Sequence, residues 1–201
     1  MKNSVYMLCL FLVSGFAGAQ QLDDNLTSKE YQNNLDSEYA NKKESPLTDT
    51  DFKVFKGLEF YPINEKLIVI ANFIRTAEEK VFKMKTTGSR TPEYVKYGEL
   101  HFKLDGKAFT LNVYQGLDLM NKEGYEDYLF LPFSDLSCGK ETYIGGRYID
   151  MRIPKGNEVV IDFNRAYNPY CAYNPKYSCP IVPLENKLAI EILAGVKKFH
   201  D

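Results

Sequence analysis

The sequence predicts a mainly β fold, an antiparallel sandwich or partly open barrel with one N-terminal α-helix. Three observations predict it. Strand-length stretches, most of them alternating apolar and polar, follow one another from Leu67 onward. Tight-turn signals separate them, Asp105-Gly106 foremost. Only one stretch places apolar residues at helical spacing, and no strand–helix alternation calls for a parallel sheet. Tyr 15 and Phe 13 with no Trp suit the same fold, because aromatic side chains favour pleated surfaces.

The helix is expected over Lys29–Lys43, with Thr27 or Ser28 as cap and Tyr31, Leu35 and Tyr39 on one face. Pro46 disfavours helix at Ser45 and ends it. Asp49–Phe55 reads as a short helical turn. Leu67–Ile74 is a continuous apolar run of strand length, and Lys80–Thr86 is a second strand. Tyr94–Leu104 and Lys107–Gln115 form a hairpin about Asp105-Gly106. Leu117–Tyr125 is a loop, and Tyr128–Pro132 a buried strand. Arg147–Ile153 alternates, with Ile149, Met151 and Ile153 on one face and Tyr148, Asp150 and Arg152 on the other. The turn Pro154–Asn157 is expected to pair it with Glu158–Phe163. Leu188–Leu193 is the expected last strand.

A chain of 201 residues with 44% hydrophobic and 26% charged residues is ordinary for a globular protein with a substantial core. Net charge is −2, so no basic excess exists to neutralise phosphates and no nucleic-acid partner is expected. The N-terminus has the form of an export signal. Lys2 supplies the positive charge, Val5–Phe16 the apolar region, and Ala17-Gly18-Ala19 the cleavage site. The expected organisation is therefore a signal peptide at 1–19, a polar segment with the helix at 20–46, and one β-rich domain at 47–201. The expected address is periplasmic or extracellular, with no membrane span once the signal is removed. Sequence leaves the oligomeric state open.

The mature chain would keep Cys138, Cys171 and Cys179. Cys171 and Cys179 are close in sequence and flanked by turn residues, so they are the disulfide candidates; free thiols are the alternative. With His101 and His200 as the whole histidine complement and no zinc spacing, neither a metal nor a cofactor is expected. His101, in an alternating strand, reads as a half-exposed sheet residue.

No nucleophile elbow, phosphate loop, zinc-protease helix or dinucleotide glycine pattern occurs. The polar candidates lie within the stretch Leu131–Pro183: Asp135, Glu141, Tyr143, Arg147, Asp162, Asn164, Arg165 and Tyr167, with Thr142 and Asp150 beside them. Arg147 follows Gly145-Gly146, where the backbone can approach a ligand closely. Two arginines near acids and amides suit a carboxylate, a phosphate or a sugar, because the guanidinium is a planar fork of donors. The surrounding tyrosines offer apolar area with a polar tip, as sugar-binding surfaces do. The same residues also serve as Arg–Asp pairs and amides that satisfy a long loop. The expected function is a binding module for a small anionic or carbohydrate ligand. The alternatives are a hydrolase using Asp135 or Glu141 and a structural envelope protein without a small ligand.

The segment PFSDLSCGKETYIGGRYIDM, followed by DFNRAYNPYCAYNPKYSCPIVPLENKLAIEILAG, resembles a bacterial family, the domain-of-unknown-function family sixteen-eighty-four. The resemblance runs from Ser45 to Lys197. The family pattern carries Asp135, Glu141 to Tyr143, Gly146 to Tyr148, Asp162 to Arg165, Asn168-Pro169, Cys171, Cys179-Pro180 and Glu185-Asn186, and all of them match here. Its commonest form has Thr at or near Cys138, which weighs against a catalytic thiol there. The resemblance implies no activity.

Overall fold

The computed structural model describes residues 26–200. The expected export signal and Cys9 lie outside these residues. Helix α1 spans Ser28–Ala40. Its start is a capping box: the Thr27 side chain accepts from the Glu30 amide, and the Glu30 carboxylate accepts from the Thr27 amide. It stops short of the expected Lys43, because Asn41 is extended and its carbonyl instead accepts from the Glu44 and Ser45 amides. Helix α2, Asp49–Val54, is one short element capped by Thr48.

The strands are β1 (Ile68–Arg75), β2 (Phe82–Lys83), β3 (Glu93–Leu104), β4 (Lys107–Gly116), β5 (Tyr128–Phe133), β6 (Arg147–Arg152) and β7 (Glu158–Asp162). They form a curled antiparallel half-barrel in the order β6-β5-β4-β3-β1-β7, with β2 beside β3. The β3–β4 hairpin turns at Asp105 and Gly106, both at positive φ, as a two-residue primed turn requires. Inside the curl lies the main aliphatic core, including Val69, Leu100, Leu111, Leu131, Met151 and Ile161. The outer face of β3 to β6 is also covered, by Met84, Tyr94, Tyr114, Phe130 and Tyr148. Coverage on both faces explains why β5 reads as an unbroken apolar run. A third cluster docks α1 through Tyr31, Leu35 and Tyr39 against Leu47, Tyr173 and Val196.

Three expectations are corrected. The stretch Glu158–Asp162 does not pair with β6. It pairs with β1 in the register Val69↔Ile161, which puts both side chains in the core. The open side of β6 is taken by Tyr167 instead, whose amide and carbonyl bond the carbonyl and amide of Tyr148. Lys80–Thr86 contributes only the two residues of β2. Leu188–Leu193 is not a strand. Leu188 and Ile192 are buried, but the segment's backbone is tied to Ser134 and Leu136 and to the side chains of Asp135 and Arg147 rather than to a ladder.

Candidate functional site

Strand β6 builds the site by simple alternation. Its inward residues, Ile149 and Met151, join the core, and Tyr148, Asp150 and Arg152 point to the outer face. Asp150 stands opposite Phe130 of β5, and Tyr128 stands opposite Arg152. That register lets the Tyr128 hydroxyl reach diagonally to Asp150 Oδ1 and donate at 2.7 Å. The Tyr148–Tyr167 backbone bridge brings the second phenol, and Tyr167 donates to the same oxygen at 2.7 Å. Asp150 Oδ2 accepts no hydrogen bond among the described residues.

Around this carboxyl the aromatic rings form walls. Tyr148 meets Phe130 edge-on at 4.7 Å and Tyr167 edge-on at 5.8 Å. Tyr94, Tyr125 and Tyr170 complete a cavity of about 350 Å³, with Leu35 of α1 and Pro180 at its rim. Asp150 also borders a larger hollow of about 720 Å³ lined from β6 and β7, with Arg152, Asp162 and Arg165. Burial raises the Asp150 carboxyl above its usual range, against the pull of the Tyr167 and Tyr128 hydrogen bonds and of Arg165 and Arg152. Burial also raises both phenols well above theirs, with the Asp150 charge adding to it, so they stay protonated donors.

The expected site residues are brought to separate places. Arg147 is 0% exposed. Its Nη2 donates to Asp135 Oδ2 at 2.9 Å and to the Ile192 carbonyl at 2.7 Å, and Nη1 donates to the Ala194 carbonyl. Gly146 has φ +87, and a Cβ there would stand 2.6 Å from the Phe133 carbonyl oxygen. The glycines therefore do bring backbone close to a neighbour, but that neighbour is β5. Asp135 is saturated as well, with Oδ1 accepting from the Ser137 amide and hydroxyl and from the Ile192 amide. Thr142 is buried against the same Ser137 hydroxyl. Glu141 is exposed and accepts from Tyr61 at 3.3 Å.

Asp162, Asn164 and Arg165 dock α1. Asp162 Oδ2 accepts from Ser28 at 2.6 Å and Oδ1 from the Asn164 side chain at 2.9 Å. The Asn164 carbonyl accepts from Gln32, and its side-chain amide both accepts from and donates to the Asn64 backbone. The Arg165 guanidinium lies over the Tyr31 ring at 4.7 Å. Only Tyr167 of the expected binding set reaches the tyrosine pocket. Tyr143 instead stands 3.7 Å from Cys171 Sγ. Cys171 and Cys179 are free thiols, not a disulfide. His101 lies between Glu99 and Thr110 on the outer side of β3, part-exposed as expected.

Of the pocket's principal residues, Asp150 is one of the two named beside the expected binding set, and Tyr128 and Tyr148 lie outside it. Their signal was the alternation that sets Tyr148 and Asp150 on one face, with a tyrosine-rich segment downstream to cover it.

A family model described as a protein of unknown function, DUF1684, matches residues 53–197. The chain belongs to this family. An uncharacterized protein of Haloarcula marismortui, known from a solution NMR structure, has the same fold. It is similar at 28% identity over 84% of this chain and 91% of that one, with a TM-score of 0.66. No curated protein matches. Among the described residues no helix is long and apolar enough to cross a membrane.

Proposed function

We propose that this family member is a binding module for a small neutral carbohydrate, held in the tyrosine pocket over Asp150. The observation that carries the reading is a carboxyl with one uncommitted oxygen, set among tyrosine rings in a cavity of about 350 Å³. Aromatic faces pack against the C–H face of a pyranose, and a carboxylate oxygen accepts its hydroxyls. The cavity is of the size that small-ligand sites use, about 300–1,000 Å³.

Among the expected ligand classes, the carbohydrate is favoured over the anion. An anion would have to sit beside the Asp150 carboxylate, and the Arg147 guanidinium is sealed inside the fold. The hydrolase reading through Asp135 and Glu141 draws no support from this geometry. Asp135 is buried and saturated, and Glu141 is exposed.

The test is calorimetry and thermal shift with a panel of free pyranoses and their disaccharides, run on the full chain, Asp150→Asn and Tyr167→Phe. A bound sugar raises Tm by mass action. Asp150→Asn is expected to weaken binding by about tenfold or more, the loss of one charge-assisted hydrogen bond. Affinity is expected to fall as pH drops through the raised Asp150 range, since protonation removes the acceptor. Stability moves the other way. Asp150 is harder to ionise folded than unfolded, so its contribution is complete below the ordinary aspartate range and is lost as pH rises through the raised one. Asp150→Asn removes that loss, so its Tm gains on the wild type between acid and neutral pH. A panel without binders, or binding untouched by both substitutions, defeats the proposal.

A further inference from the structure

Cys179 lines the tyrosine pocket and Cys171 does not, and neither thiol is needed to hold a sugar there, yet the fold sets the Cys179 sulfur directly against the Cys171 backbone. Cys171 sits in a single tight turn, Tyr170–Ala172, which starts directly after Pro169. Its amide donates to Cys179 Sγ at 3.2 Å. The other end is sewn to a neighbouring segment: the Thr87 amide donates to the Cys179 carbonyl, and the Cys179 amide donates to the Thr87 hydroxyl at 3.0 Å. Two bonds on one residue fix where Cys179 stands. Turn bonds from Tyr173 and Asn174 to the Tyr170 carbonyl, and from Tyr177 to the Asn174 carbonyl, keep the intervening loop short and folded.

The two sulfurs differ in the way an attacking and a resolving thiol differ. Cys171 is half-exposed and Cys179 is buried. The Cys179 thiol donates toward Cys171 and, with the Tyr143 hydroxyl and Thr87, stabilises a Cys171 thiolate, lowering that thiol to about 6. The same hydrogen bond pushes Cys179 up, so it keeps its proton. Burial holds Tyr143 up at about 12, which keeps it a donor at neutral pH. Cys138 lies apart in hydrogen bonding. Its sulfur accepts from the Asp135 amide and the Thr142 hydroxyl.

We propose that Cys171 and Cys179 are a redox-active dithiol that exchanges with small-molecule or protein disulfides. The Cys171 thiolate attacks one sulfur of an external disulfide, forming a mixed disulfide and releasing one thiolate. Cys179 then loses its proton and attacks Cys171 Sγ, forming the Cys171–Cys179 bond and expelling the second thiolate. The pair gives up two electrons and two protons, and the external disulfide becomes two thiols. The inference stands apart from the sugar reading and needs no ligand in the pocket.

Oxidised glutathione is the probe, added to the reduced full-length chain at neutral pH, with peptide mapping by mass spectrometry. The wild type is expected to lose two hydrogens, all of the change mapping to a link between Cys171 and Cys179, and to regain them with dithiothreitol. Cys179→Ser is expected to stop at one glutathionyl group on Cys171. Cys171→Ser is expected to leave Cys179 unmodified. Both thiols remaining reduced in the wild type, a glutathionyl group persisting on wild-type Cys171, or a bond to Cys138 or Cys9 would each overturn the proposal. Should a variant fail to fold, the wild-type map across graded reduced-to-oxidised glutathione ratios decides alone.

Discussion

Arg147 is the residue at which sequence and fold part company most sharply. A guanidinium after two glycines suits a ligand clamp, and among nearby acids it suits an Arg–Asp pair that satisfies a long loop equally well. In the fold it is sealed, with Asp135 and two carbonyls of the C-terminal segment as its partners and its Nε without one. Arg147→Ala should therefore act on stability. Removing one partner of a buried ion pair leaves the other charge stranded, at a cost of about 3–5 kcal/mol. Arg147→Lys should recover little, because an ammonium cannot serve a carboxylate and two carbonyls from one plane. Urea denaturation measures both. A solvent-facing clamp would lose only about 0.5 kcal/mol or less, so a small change would show the buried pair to be unimportant. Burial was the illegible quantity: no periodicity reports whether an Arg–Asp pair faces water or the core. Asp150 was the reverse case. Its face was readable from the alternation of β6, but its importance depends on Tyr128 and Tyr167 arriving from elsewhere in the chain.

At the scale of elements, local pattern located most of the strands and failed where side chains replace ladder partners. The β3–β4 hairpin was legible to the turn residue, because alternation and Asp-Gly agree. Leu188–Leu193 also alternates correctly, and its buried residues do face the core. No strand forms because its main-chain bonds to Ser134 and Leu136 give way at Ile192 to the side chains of Asp135 and Arg147, which hydrophobic pattern cannot display. The same substitution recurs where β4 and β5 diverge, joined in register only at Tyr114↔Phe130. Asn186 fills that gap: its Nδ2 donates to the carbonyls of Asn112 and Pro132, and its Oδ1 accepts from the Asn112 amide. Asn186→Ala should cost about 2–4 kcal/mol, since it leaves buried backbone groups unpaired. Hydrogen exchange at the Asn112 amide should quicken in step with the lower urea midpoint. An unchanged Asn112 protection factor would show that the strands hold together without this amide.

The whole molecule poses a question of boundaries. The family match begins at residue 53, yet α1 lies before it at Ser28–Ala40. A curled sheet that does not close leaves two edges, β6 and β7, and bare edges invite pairing with other chains. Here both are managed. Tyr167 occupies the edge of β6, and α1 is fastened beside the end of β7 through Ser28–Asp162 and Gln32–Asn164. Farther along the helix, Asp36 accepts from the Leu58 amide and Glu38 from the Tyr170 hydroxyl. Tyr31, Leu35 and Tyr39 are buried on the body of the fold, and Leu35 also rims the tyrosine pocket. Losing three such side chains at about 2–4 kcal/mol each removes roughly 6–12 kcal/mol, against a total stability of about 5–15 kcal/mol for a domain. A chain that starts at Leu47 should therefore lose cooperative unfolding, and its near-ultraviolet circular dichroism should collapse. A chain that starts at Gln20 should keep both. If the shorter chain instead melts in one sharp transition at the midpoint of the longer one, α1 is an appendage. The β6 and β7 edges would then have to be protected by the sheet alone.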